Sequence, residues 1–160
     1  MEIRTQTGQV MYESEYRAHL LANNGPSFGV LTPELMVELD IDPVLEGPQA
    51  TTTTPYQYSQ RDGVEKVGGQ WYTKYIVGPI FTDNVESTAA EQEAAYKLQK
   101  DTEQAASVRQ SRNDKLKECD WTQLSDSTAD KPLWATYRQA LRDISGQAGF
   151  PWDIEWPIAP

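Results

Sequence analysis

At 160 residues, with 24% charged and 38% hydrophobic side chains, the chain has material for one ordinary domain or two very small ones, not for a single large core. A formal net charge of -10 opposes binding to the phosphate backbone of nucleic acids and to anionic membrane surfaces. No window approaches the roughly 18 apolar residues of a membrane span, and the opening MEIRTQTGQV lacks the basic-then-apolar texture of a secretion signal. The expectation is a protein kept in a cytoplasm or carried by a soluble assembly, and the single Cys119 leaves its stability to packing or partners.

Residues 1–82 read as a mixed head. SEYRAHLLANNG predicts a short helix with Ser14 as N-cap, Tyr16, Leu20 and Leu21 on one side, and a stop at Asn23-Asn24-Gly25, where left-handed backbone is cheap. LTPELMVELDIDP predicts a second, with Thr32 as cap, Pro33 at the first helical position, Leu35, Met36 and Leu39 as its stripe, and Pro43 forbidding continuation. The Thr-rich GPQATTTTPYQYSQ suits an extended connector. After it, turn signals at Asp62-Gly63 and Gly68-Gly69 separate runs rich in Tyr, Val, Trp and Ile, which predicts a three-stranded β-meander.

In the last of those strands Trp71, Thr73, Tyr75 and Val77 alternate with Tyr72, Lys74 and Ile76, so both faces carry bulky groups. Two arrangements fit: the aromatics pack on the short helices, or a partner chain covers one face. Trp71, Tyr72, Tyr75 and Ile76 are the candidate partner-binding residues of the head.

Residues 83–119 read as a helical connector. Thr88 with Glu91 three residues later is a capping box, and the stretch to Cys119 holds no Gly or Pro. Its apolar positions, Tyr96, Leu98, Ala105, Val108, Leu116 and Cys119, are too sparse to hold a long helix alone. A solvated spacer, a helix docked on another protein and a homo-oligomeric coiled coil, its heptads broken at Arg112, all fit.

Residues 120–160 read as a closing module. DKPLWATYRQALRDISG predicts a helix from Asp130 to Gly146 with Trp134, Tyr137, Leu141 and Ile144 at three- and four-residue steps. That stripe needs an apolar surface, and Leu116, Cys119, Trp121 and Leu124 are the nearest in sequence, so the two helices are expected to form a hairpin. In GFPWDIEWPIAP the large side chains Phe150, Trp152, Ile154 and Trp156 alternate with Pro151, Asp153, Glu155 and Pro157, which predicts an extended strap. It lies across the hairpin or inserts into a groove on a partner. Trp121, Trp134, Tyr137, Leu141, Ile144, Phe150, Trp152 and Trp156 are therefore assigned to the module core first and to a partner second. The fold class is α+β: a head with short helices and a meander, a long helix, and a helical hairpin with an aromatic tail.

Nothing in the sequence points to catalysis, a cofactor or a metal. His19 is the only histidine and Cys119 the only cysteine, so neither a metal pair nor a thiol-imidazole pair recommends itself. The acid pairs Asp40/Asp42 and Asp153/Glu155 follow from an acidic composition, and VGGQW leads into a strand where a phosphate loop needs a helix. Eight tyrosines and five tryptophans in so small a chain suit protein interfaces, and carbohydrate stacking would use the same side chains.

Three blocks of the C-terminal module, Asp120-Trp121-Thr122-Gln123-Leu124, then Tyr137-Arg138-Gln139-Ala140-Leu141-Arg142-Asp143-Ile144, then Phe150-Pro151-Trp152 with Trp156-Pro157, resemble the phage tail assembly chaperone family, in that order and over about the last fifty residues. In the head, TGQV and LDIDPV resemble small proteins of the same gene neighbourhood. The resemblance implies a non-enzymatic protein that binds a phage tail fibre or baseplate protein and assists its assembly. Such a protein is either retained in the virion as an adaptor or acts as a transient folding helper; a glycan-binding fibre tip is the further alternative.

Overall fold

The computed structural model describes residues 1–160, which separate into two compact units, Met1–Ile80 and Phe81–Pro160. The molecule is α+β, as its sequence implies.

The first unit is built on β1 (Glu2–Thr5), β2 (Val10–Tyr12), β3 (Ile41–Leu45), β4 (Tyr58–Val67) and β5 (Gln70–Gly78), arranged in one mixed sheet in the order β2-β1-β3-β5-β4. The expected meander contributes two strands rather than three. Gly68 and Gly69, both at positive φ, close the β4–β5 hairpin in a two-residue turn. Asp62-Gly63 makes no turn: the register shifts between Arg61 and Val64, so Gly63 at φ +79° serves a bulge inside one continuous edge strand.

The remaining three strands lie where the sequence carries no strand pattern. β1 and β2 hold only a few residues each, and the antiparallel pairing of β1 with β2 on one side and β3 on the other decides their conformation, not their propensity. β3 contains Pro43 yet sits inside the sheet. β5 joins it only at Val44 and Leu45, past the proline, and the Gln70 side chain donates to the Pro43 carbonyl at 2.8 Å.

Helix α1 (Glu13–Ala22) starts two residues earlier than its sequence suggests. Its N-cap is Tyr12 rather than Ser14, because Glu15 reaches back to accept from the Tyr12 amide at 2.8 Å. Its end is a Schellman turn: Asn24 takes φ +54° and the Gly25 amide donates to the Leu20 carbonyl at 2.8 Å. Tyr16 is buried and Leu20 packs beside it, whereas Leu21 faces solvent. α2 (Pro33–Glu38) forms as its sequence dictates, with Thr32 Oγ1 accepting from the Leu35 amide. The two helices bury Ile3, Tyr16, Leu31 and Ile41 against the β1–β2–β3 half of the sheet, with Met11, Leu35, Met36 and Leu39 around them. No residue of β4 or β5 joins that core.

The second unit begins with α3 (Ala89–Glu118), closed at its start by the Thr88–Glu91 capping box and at its end by Cys119. Thirty residues span about 45 Å. Ion pairs Lys97–Glu93 and Lys100–Glu103 run along its solvated face. Of its sparse apolar positions, Ala105 and Val108 are buried and Leu98 is exposed. A 3-10 turn, Asp120–Gln123, leads to α4 (Lys131–Arg142), capped by Asp130 and continued by a second 3-10 turn, Asp143–Gly146, that lies against α3. The helices form the expected hairpin. Leu141 and Ile144 are fully buried, and Cys119, Tyr137 and Leu141 form a core joined by Leu116, Trp134 and Trp156.

The tail departs from the expected strap. Gly149–Trp152 is a turn, with the amides of Trp152 and Asp153 both donating to the Gly149 carbonyl at 3.0 and 2.8 Å. A Cβ at Gly149 would lie 2.0 Å from the Asp153 carbonyl oxygen, so only glycine fits there. The aromatic side chains consequently fan out instead of alternating along one line. Phe150 meets the Arg109 guanidinium at 5.3 Å, the Trp152 indole donates to Asp101 at 2.6 Å, and Trp156 enters the core beside Lys115. From Ile154 the chain runs on without regular structure, pinned where Gln147 exchanges two hydrogen bonds of 2.8 and 2.7 Å with the backbone of Glu155.

Candidate partner-binding surfaces

The pairing register sorts the head residues onto two faces. Val44 sits opposite Trp71, and Arg61 opposite Tyr75, so Glu2, Arg4, Asp42, Val44, Trp71 and Tyr75 share the face away from the helices. Leu45 sits opposite Tyr72, which puts Tyr72 and Ile76 on the helix side, along the hairpin that the head core does not include. The four candidates therefore form two pairs on opposite faces, not one patch. All four are half-buried.

On the helix-free face the aromatic rings are already engaged. Arg4 stacks over the Trp71 ring at 4.0 Å from its centroid, Lys66 stands 5.6 Å away, and the indole N–H donates to Asp42 at 3.1 Å. The Tyr75 hydroxyl donates to Glu46 at 2.6 Å. From β1, Glu2 accepts two bonds of 2.8 and 2.7 Å from Arg61 on β4, reaching across both intervening strands. The register puts Val44 and Thr73 beneath that bidentate pair, and both are buried. A roof of charge thus closes a face that has no helix.

The Arg61 hydrogen bonds hold the Glu2 carboxyl below the usual carboxylate range, against a smaller opposing push from burial. A depressed folded-state pKa stabilises above the unfolded value of about 4.3 and loses that contribution as pH falls through the lower folded value. Glu2→Gln is expected to cost about 1 kcal/mol at neutral pH, since the pair is bidentate but partly exposed. In urea titrations from pH 7 downward, the gap between wild type and variant should shrink below pH ~4. Curves that stay parallel would count against the pair.

In the second unit the residues named from sequence divide by burial. Tyr137, Leu141 and Ile144 are interior; Trp134, Phe150, Trp152 and Trp156 are half-buried; Trp121 stands 52% exposed. Trp121 is held by edge-to-face contact with Trp134 at 5.9 Å, and Trp134 in turn meets the buried Tyr137 at 5.6 Å. The three rings form a row from the core to the surface. Leu124 and Leu133, both more than half exposed, flank the outer end in sequence.

One residue the sequence reading passes over organises this corner. Arg138 is 8% exposed and donates to the Leu116 carbonyl at 2.8 Å, to Cys119 Sγ at 3.0 Å and to Asp120 at 2.8 Å. It thereby satisfies the frayed end of α3 from the middle of α4. Thr122, fully buried, donates to the Cys119 carbonyl at 2.7 Å. The signal was present: Arg138 lies one turn after Trp134 and three residues before Leu141, where a cation needs buried acceptors.

The structure brings no group of three or more His, Cys, Asp and Glu side chains into metal-binding proximity, and no helix is long and apolar enough to cross a membrane. Residues 105–160 match the family model described as phage tail assembly chaperone protein. The three blocks that carry the resemblance all fall within this segment, and the Arg138–Asp120 contact ties the second of them to the first. No curated protein and no solved structure matches the chain.

Proposed function

We propose that this chain is a non-enzymatic bacteriophage tail protein that binds a tail fibre or baseplate protein, assists its assembly and is retained in the virion as a structural adaptor. The observation that carries the reading is the match of residues 105–160 to phage tail assembly chaperones, coinciding with a module whose aromatic row reaches the surface at Trp121. The head supplies a second contact. A partner on its helix side engages Tyr72 and Ile76; a partner on the other face meets Trp71 and Tyr75 within their ion pairs.

The family description itself favours a second reading, a helper that leaves before the particle is complete. A glycan-binding tip finds less support, because Arg4 and Lys66 already lie against the Trp71 ring that a sugar would stack on. Quantitative mass spectrometry of purified virions separates the first two. Retention predicts this chain at a fixed integer ratio to the tail protein it binds. Its absence from particles, together with a raised yield of soluble fibre trimer on co-expression, would replace the adaptor with the transient helper.

A further inference from the structure

We infer that the Trp121–Trp134 corner of the second unit docks a basic, apolar segment of another protein. The inference rests on the assembly reading only in requiring a protein partner. Trp121 is a large apolar side chain left half in water, and Leu124, three residues on, and Leu133, next to Trp134 in sequence, are exposed as well. Half-exposed tryptophan is the residue type most enriched where binding energy concentrates.

The ring is also fixed before any partner arrives. Trp134 holds its edge, and the adjoining Asp120 is tied to Arg138 at 2.8 Å, so little side-chain freedom remains to be lost on docking. A merely tolerated surface tryptophan needs no such support.

Charge identifies the occupant. Between Glu118 and Trp134 the chain carries four carboxylates, Glu118, Asp120, Asp126 and Asp130; Arg138 balances Asp120, and the other three outnumber the single ammonium of Lys131. All four acids are exposed. A partner with Lys or Arg beside apolar side chains would place its hydrocarbon on the rings and its cations on the rim, and an arginine could stack on the open part of the Trp121 indole. A second copy of this chain would bring the same acidic rim against itself, so like charge opposes self-pairing.

The test uses the full chain and two synthetic 16-residue helical peptides with identical Leu and Phe positions. One carries Lys and Arg at its flanking positions and the other carries Glu there. Titration calorimetry should show binding of the basic peptide alone, weakened about tenfold between 50 and 300 mM salt. Trp121→Ala should weaken it at least tenfold. Leu124→Gln, on an exposed side chain, gives the same readout should Trp121→Ala disturb folding. Equal binding of both peptides, no binding of either, or binding untouched in both variants would overturn the inference. So would concentration-dependent dimerisation that Trp121→Ala abolishes, which would assign the corner to a second copy. Virion content does not enter this measurement, so loss of the adaptor reading and loss of the docking corner remain distinguishable.

Discussion

Deleting residues 149–160 should lower the stability of the Phe81–Pro160 unit by about 4 kcal/mol. Each of three half-buried aromatic side chains, Phe150, Trp152 and Trp156, contributes a little over ~1 kcal/mol, and the Trp152–Asp101 hydrogen bond about 1 more. Urea unfolding followed by far-ultraviolet circular dichroism reads it, because α3 and α4 lie in this unit. Trp152→Phe isolates the hydrogen bond and should cost only about 1 kcal/mol. If the shortened chain unfolds at the same urea concentration as the full one, the tail is not part of the core.

Arg138→Met should cost about 3 kcal/mol, because the Leu116 carbonyl and the buried Cys119 thiol lose a donor in a nearly closed environment and the exposed Asp120 loses its cation. Methionine keeps most of the side-chain volume, so the loss reports unpaired polar groups and not a cavity. Arg138→Lys should recover part of it: an ammonium can reach one or two of the three acceptors, but lacks the planar fork that reaches all of them. Unchanged stability in Arg138→Met would mean that water satisfies the end of α3.

How much of this was legible follows from where local chemistry decides structure. α2, α3 and α4 announce themselves because Thr32, Thr88 and Asp130 each accept a hydrogen bond from a backbone amide of the helix they start. β1, β2 and β3 do not, because Ile3 and Ile41 become strand residues only when chain segments about forty residues apart pair. Gly63 misleads for a related reason: the same positive φ serves a turn or a bulge, and only the neighbouring strand distinguishes them.

The candidate surfaces show the same division. Period-two spacing separates Trp71 and Tyr75 from Tyr72 and Ile76, yet it cannot tell which pair faces helices and which shares its face with a Glu2–Arg61 bridge made across three strand spacings. The stripe on α4 identifies Tyr137, Leu141 and Ile144 as apolar, and the distinction between buried Tyr137 and exposed Trp121 waits on the hairpin geometry. In the tail the composition is readable and the path is not, because the turn at Gly149 is fixed by a close approach to Asp153.

The Gln147 clamp on Glu155 carries a consequence for how such tails can diverge. A side-chain amide that reads main-chain N–H and C=O is blind to which amino acid supplies them, so any residue with a backbone N–H, which excludes only proline, can stand at position 155. The count of residues from 147 to 155 has no such freedom: one insertion or deletion would shift the segment out of reach and loosen the seating of Trp156, the next residue.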